Sequence, residues 1–294
     1  MEQSTIQTIL LIIGIATLTV TLYRFIYFIY PYIRPSSIKK YLHSGSYALV
    51  TGATDGIGKA LAIELAAKGF NIILHGRNLN KLTAVSNEIQ AAHPSRDVVS
   101  LLQDGSKNPI LDISPIRHLP ISVLVNNVGV GPIAELEQFS IEQIAETVNL
   151  NALFPTHVTH SVLPKMSRPA LILNVSSYVG IFPPPYLAVY SGTKAYNTAF
   201  SNSLSREIPS IETIALITGS VHSAGNQKPV SFFRPASSVY ARHILSIIGS
   251  GRKSIMPYWP HAVQVFILSL LPAWVTERAI KQAIDKELIN NVKH

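Results

Sequence analysis

Residues 47–67 read YALVTGATDGIGKALAIELAA, and they set the architecture of the chain. Tyr47 to Thr51 is an apolar run of strand length. Leu61, Ala62, Leu65 and Ala66 then recur at helical spacing. Between them, Gly52, Gly56 and Gly58 supply three positions without side chains in one turn. Glycines there let backbone N–H groups approach a pyrophosphate at a helix N-terminus. Such a turn carries weight here because it sits between a strand and a helix.

Outward from this unit the same alternation continues. Strands are expected at Asn71–His75, Val98–Leu102, Ile121–Val125, Ala170–Val175, Thr213–Ile217 and Lys253–Met256. Helices are expected at Leu79–Ala92, from about Ile141 to Leu163, at Val189–Arg206 and at Ser237–Ile248. The segment Gly105–Pro120 carries Pro109, Pro115 and Pro120, so at most a broken helix is expected there. Near-continuously apolar strands separated by helices predict an α/β fold: a Rossmann-type doubly wound parallel sheet, buried on both faces.

The end of the second strand bears on the ligand. An Asp or Glu there would accept hydrogen bonds from the ribose hydroxyls of NAD. The chain has His75-Gly76-Arg77-Asn78 instead. Arg77 suits a 2′-phosphate, which points to NADP.

The chemistry-bearing stretch is NVSSYVGIFPPPYLAVYSGTK, residues 174–194. Tyr190 and Lys194 are one helical turn apart on one face. A free phenol is too weak an acid near neutrality. An ammonium beside it is expected to lower its pKa. Ser177 can hydrogen-bond a carbonyl oxygen. An acid, its tuner and a carbonyl clamp suit ketone reduction. Phe182 to Leu187 reads as packed loop or as an apolar substrate wall.

Other features exclude or narrow. The chain has no cysteine, so disulfides and thiolate metal sites are impossible. His157 and His160 share a helix face without a nearby carboxylate and read as structural, so no metal is expected. Net charge is +8 but the basic residues are scattered, which argues against nucleic acid and suits an anionic membrane surface. The sequon at Asn174 falls at a buried strand end, a poor acceptor.

At 294 residues, four segments are expected: a membrane anchor at 1–30, a linker at 31–45, the α/β domain at 46–257 and an apolar extension at 258–294. Ile6 to Ile29 is almost wholly apolar, with Tyr23, Tyr27, Tyr30 and Tyr32 gathered at one end. Glu2 ahead of the run, and no small-x-small site after it, favour an anchor over a cleaved signal peptide. Arg24, Arg34, Lys39 and Lys40 follow it and predict a cytosolic domain. Ala262 to Val275 is apolar but too short to span, and reads either as a packed helix or as an interfacial contact.

The chain resembles the short-chain dehydrogenase/reductase family over roughly residues 46–257. The residues that carry this are Thr51-Gly52-x-x-x-Gly56-x-Gly58, Asn126-Asn127-x-Gly129, Asn149, Ser177, Tyr190 and Lys194. The resemblance implies a catalytic set of Asn149, Ser177, Tyr190 and Lys194, with Asn149 holding a proton-relaying water. It implies an NADP(H) site from Gly52, Thr54, Asp55, Gly56, Ile57, Gly58, Arg77, Asp104, Asn126, Val128, Gly129, Tyr190, Lys194, Val221 and Ser223. Asn127-Val-Gly129, Gly180-x-x-Pro183-x-Pro185 and Asp55-Gly-Ile-Gly-Lys59 narrow the likeness to a membrane-bound branch. That branch holds very-long-chain 3-oxoacyl-CoA reductases and 17β-hydroxysteroid dehydrogenases of the endoplasmic reticulum. It implies reduction of a lipid-like ketone, with steroid and secondary-metabolite ketones as alternatives, and a homodimer paired through helices 141–163 and 189–206. A tethered NADP-binding scaffold without turnover is the alternative of another class. Thr218-Gly219-Ser220-Val221 departs from the family's usual Pro-Gly, and the segment that follows to Arg234, the loop that the resemblance implies would cover the substrate, is compact.

Overall fold

The computed structural model describes residues 2–292. The helices are α1 (Glu2–Ile33), α2 (Gly56–Ala67), α3 (Leu79–Ala92), α4 (Ile141–Val148), α5 (Phe154–Val162), α6 (Ala188–Glu207), α7 (Ser237–Ser246), α8 (Trp259–Ser269) and α9 (Ala273–Val292). The strands are β1 (Tyr47–Val50), β2 (Asn71–Gly76), β3 (Val98–Leu102), β4 (Ile121–Asn126), β5 (Ala170–Ser177), β6 (Ile211–Thr218) and β7 (Ser254–Ile255). All pair in parallel, in the order β3-β2-β1-β4-β5-β6-β7. Each expected strand is present. The order reverses between β1 and β4, and ligands bind doubly wound sheets at the strand C-termini beside such a switch point.

Alternate side chains of each strand fill opposite faces. Ala48 and Val50 of β1 pack with Leu61, Leu82 and Tyr240 from α2, α3 and α7. Leu49 between them packs with Phe154, Val158 and Leu204 from α5 and α6. Both faces are therefore dry, as the unbroken apolar runs require. The proline-rich crossover retains only a 3-10 turn at Ser114–Ile116.

Helix α1 has 32 residues, about 48 Å at 1.5 Å per residue, which exceeds a hydrocarbon core of roughly 30 Å. It is long and apolar enough to cross a membrane, and the side chains of its most apolar stretch are outside the domain core. Pro31 lies inside it. Proline has no N–H, so the carbonyl four residues earlier, Tyr27, loses its helical donor. Arg252 supplies one: its guanidinium donates to that carbonyl and stacks 3.1 Å from the centroid of the Tyr27 ring.

The expected linker at 31–45 is instead a docked collar. The Tyr32 hydroxyl donates to Met256 O at 2.9 Å, and Arg34 Nη1 donates to Ile248 O at 2.8 Å. Ser37 N donates to Ile248 O at 3.0 Å. Ile38 and Tyr41 are buried in the main core, and the Tyr41 hydroxyl donates to Glu212. The prolines and serines suggested coil, but Ile38 and Tyr41 supply the apolar anchors that hold it down.

Candidate active site

Ser177 ends β5, and Tyr190 and Lys194 lie on the first turns of α6. Close packing joins the two elements. A Cβ on Gly180 would sit 2.7 Å from Ala195 N, so the turn after β5 lies directly on α6. The Ser176 hydroxyl donates to Lys194 O at 2.7 Å. The Tyr190 ring lies flat against Gly131, where a Cβ would come within 3.0 Å. The Ser177 side chain stands beside the phenol and lowers its pKa, and its Oγ is 3.4 Å from Thr218 O at the end of β6. The structure thus brings the serine, tyrosine and lysine together at the strand C-termini.

The electrostatics differ from expectation. Lys194 is fully buried, and its ammonium donates to Val175 O at 2.8 Å rather than to the phenol. Its Nζ is 5.6 Å from the Tyr190 ring centroid. Burial pulls the lysine down to about 8. Burial also pushes the Tyr190 phenol above its ordinary value, against a smaller lowering by the Ser177 side chain. The expected depression of the phenol by the lysine is absent here: the ammonium is turned to Val175 O, and burial dominates the phenol.

Asn149 is not brought to this cluster. Its Nδ2 faces Ser106 O at 3.3 Å. Asn151 occupies that place instead: its Oδ1 accepts from Val130 N at 2.9 Å, and its Nδ2 donates to Val130 O at 2.7 Å and Thr193 Oγ1 at 3.1 Å. The expected long helix breaks at a π turn, Asn149–Leu153. Pro155 explains the break, since it cannot donate to the Asn151 carbonyl four residues back. Asn197 Nδ2 donates to that carbonyl at 2.9 Å. Pro155 was the signal in the sequence that marks Asn151 rather than Asn149.

Most expected cofactor residues converge beside this cluster. Gly52 and Gly56 have φ of +63° and +53°, which favour glycine. A Cβ on Gly58 would lie 2.2 Å from Gly52 O and 2.4 Å from Asn127 Nδ2. The first N–H groups of α2 lack helical partners and point at this turn. Asp55 caps α2, its carboxylate accepting from Gly56 N at 2.6 Å, and Thr54 packs against Gly76. Ile57 rests on the core. Val128 and Gly129 lie across the turn: a Cβ on Gly52 would be 3.1 Å from Val128 Cα, and one on Gly129 3.2 Å from Lys194 Nζ. Val221 is buried, and Ser223 closes the other side, 3.1 Å from a Cβ built on Gly56. This glycine cradle fits a pyrophosphate. Replacing Gly58 by Ala is expected to destabilise the fold by about 1–3 kcal/mol through overpacking. Cofactor binding should be lost with it; a thermal melt and a cofactor titration check the two together.

Arg77 and Asp104 end β2 and β3, with Nη1 3.8 Å from Oδ2 and the guanidinium largely exposed. Burial raises the Asp104 carboxyl, but hydrogen bonds from Ser106 and the charges of Arg77 and Lys107 outweigh it and hold the group below its usual range. Asn126 departs from expectation. Its side chain is buried, donating to Thr159 Oγ1 at 2.9 Å and Asn174 Oδ1 at 2.7 Å. It ties β4 to α5 and β5. The adjacent Asn127 is the one turned to the cradle, donating to Thr51 O at 3.1 Å and Gly52 O at 3.2 Å.

No group of metal-ligating side chains occurs among the described residues. A cavity of about 370 Å³ lies at the opposite ends of β5 and β6, lined by Lys40, Tyr41, Glu212 and Arg252 among others. It holds none of the serine, tyrosine and lysine cluster, so the reaction site is not there.

A family profile described as short chain dehydrogenase matches residues 46–231. The chain belongs to the short-chain dehydrogenase family. A very-long-chain 3-oxoacyl-CoA reductase of Coccidioides immitis is 34% identical over 256 residues, covering 81% of this chain and 73% of that protein. A Caenorhabditis elegans protein provisionally named steroid dehydrogenase 2 is 31% identical over 290 residues, 92% of this chain and 91% of its own. These names bear out the likeness to the reductase and steroid dehydrogenase branch. A short-chain dehydrogenase from Burkholderia cenocepacia, solved in complex with NADP, superposes with a TM-score of 0.66 at 20% identity, covering 72% of this chain and 95% of its own. That likeness is one of fold.

Proposed function

We propose that this short-chain dehydrogenase reduces a lipid-like ketone to a secondary alcohol with NADPH, and that the ketone is a 3-oxoacyl-CoA of fatty-acid elongation. The observation that carries the reading is the convergence of Ser177, Tyr190 and Lys194 on the glycine cradle at the strand C-termini. When bound, NADPH supplies the hydride that the carbonyl carbon takes up. Ser177 orients the carbonyl and stabilises the developing oxyanion. Tyr190 gives its proton to that oxygen. A phenol pushed upward by burial is protonated at neutral pH, the form that reduction needs. Lys194 holds the nicotinamide ribose. Asn151, in the place expected of Asn149, fixes the Val130 backbone and the α6 turn that carry the acid. Arg77 favours the 2′-phosphate of NADPH over NADH.

The names of the curated relatives support the acyl-CoA substrate. The nematode relative, matched over most of both chains, supports a steroid ketone as the second reading. The long apolar α1 supports an anchor, placed in the endoplasmic reticulum by analogy with that branch and with the domain in the cytosol. A homodimer through α4–α6 rests on analogy alone.

Loss of NADPH absorbance by detergent-solubilised protein given a long-chain 3-oxoacyl-CoA tests the reading, with NADH in parallel. Turnover with NADPH and little with NADH is the expected result. Turnover only on steroid ketones would replace the substrate. Cofactor binding with no turnover on any ketone would leave the scaffold reading standing.

A further inference from the structure

We infer that the outer face of α8 and the tip of the loop at 230–233 rest on the same bilayer that α1 crosses, so that the substrate loop opens at the membrane surface. This rests on the reading of α1 as a membrane span and not on the identity of the ketone.

The sequence places Trp259 and Phe266 of α8, and Leu270 at its C-terminal cap, within one narrow stripe, spaced by seven and four residues. The stripe faces outward: Phe266 is 57% exposed, Leu270 68%, and Trp274 just beyond the helix 69%. Phe232 of the loop extends it, 58% exposed with its ring 5.6 Å from that of Trp259. A contiguous apolar surface of this kind marks an interaction site.

Its continuity with α1 names the occupant. The Phe266 ring is 6.3 Å from that of Phe28, on the last turns of α1. The level is set by the neighbouring contact, where Arg252 lies over Tyr27. A guanidinium is costly in hydrocarbon, so this turn of α1 lies at the headgroups. Helix α8 meets α1 at that height. With 11 residues it is about 16 Å long, too short to cross, and so lies in the interfacial plane. Tryptophan favours this level; Trp259 lies on this surface, and Trp274, exposed at the start of α9, follows Leu270 by four residues.

The inner face of α8 holds the substrate loop. The Tyr258 hydroxyl donates to Phe232 O at 3.0 Å, and His261 Nε2 is 3.0 Å from Phe233 O. His261 is buried, and a Cβ on Gly219 would be 2.7 Å from its Nδ1. The loop so held begins at Thr218, whose carbonyl faces Ser177. An apolar chain leaving the bilayer therefore meets Phe232 before it meets the serine.

The two tryptophans are the reporters. Full-length protein is reconstituted into phosphatidylcholine vesicles whose acyl chains are brominated either near the headgroup or near the methyl end. Trp259→Phe and Trp274→Phe each leave one reporter. A face buried about 5–10 Å into the interface should lose roughly half or more of its emission to shallow bromines and less to deep ones. Protein that floats with the vesicles yet shows no quenching overturns the inference, including the case in which a second copy covers the face. Stronger quenching by deep bromines overturns it in favour of insertion. Failure to float with the vesicles is a separate result: it removes the membrane span, and the inference falls with it.

Discussion

Tyr190→Phe is expected to lower kcat by about 10²–10⁴-fold while NADPH binds as before. The substitution keeps the ring that packs on Gly131 and deletes only the hydroxyl that Ser177 engages. Cradle, strand and helix contacts are untouched, so the melting temperature should barely move. Deleting a single buried hydroxyl shifts stability by about 1 kcal/mol in either direction. Steady-state turnover beside a fluorescence titration of NADPH separates the outcomes. Retained turnover would remove Tyr190 from the role of acid. Lost binding would mean that the hydroxyl serves to hold the cofactor and not to deliver the proton.

Lys194→Met is expected to abolish turnover and yet make the fold more stable. The ammonium is wholly buried and donates to the Val175 carbonyl. Burial lowers its pKa from 10.5 to about 8. At about 1.36 kcal/mol per pH unit, that difference corresponds to a penalty of about 3 kcal/mol when the group is charged. The sign follows from proton counts. Between pH 8 and 10.5 the unfolded chain binds the proton and the folded chain releases it, so stability rises with pH across that window. Below about 8 both states are protonated and the penalty is complete. Methionine fills a similar volume without charge, at the cost of the hydrogen bond to Val175. A net gain of about 1–3 kcal/mol at pH 7 is expected, shrinking as pH rises towards 10.5. Denaturant unfolding in detergent at two pH values checks it, and a less stable variant at pH 7 would refute it. In the parent enzyme, kcat/KM for NADPH should fall above about pH 8, where the free enzyme loses this charge.

Much of this molecule was legible in its sequence because its strands are apolar on both faces. Such runs begin and end sharply, and all seven strands lie within a few residues of where their sequences place them. The glycine cradle was legible for a related reason: only a residue without Cβ fits at Gly58. The misplacements share another cause. Asn126 and Asn127 differ by one position at the end of β4, and alternation along a strand sends one inward and the other to the cradle. Asn149 and Asn151 differ by two positions on a helix that Pro155 disturbs. In both pairs a motif gave the residue type, and backbone direction decided which copy faced the site. Two features had no local signal at all. The ammonium of Lys194 finds Val175 once α6 packs on β5, and Ser223 meets Gly56 only after β6 has been laid beside the first half of the sheet.

The collar at residues 32–41 leaves no slack between α1 and the sheet. A free coil over residues 34–46 would let its ends wander by about 20 Å and leave the domain to tumble relative to α1. Here Arg252, Met256 and Ile248 grip the helix end at three points, so the heading of the catalytic domain is set by the fold itself. An exchange of α1 for a foreign helix would carry that heading over only if the new segment kept a proline four residues after a carbonyl that Arg252 can reach.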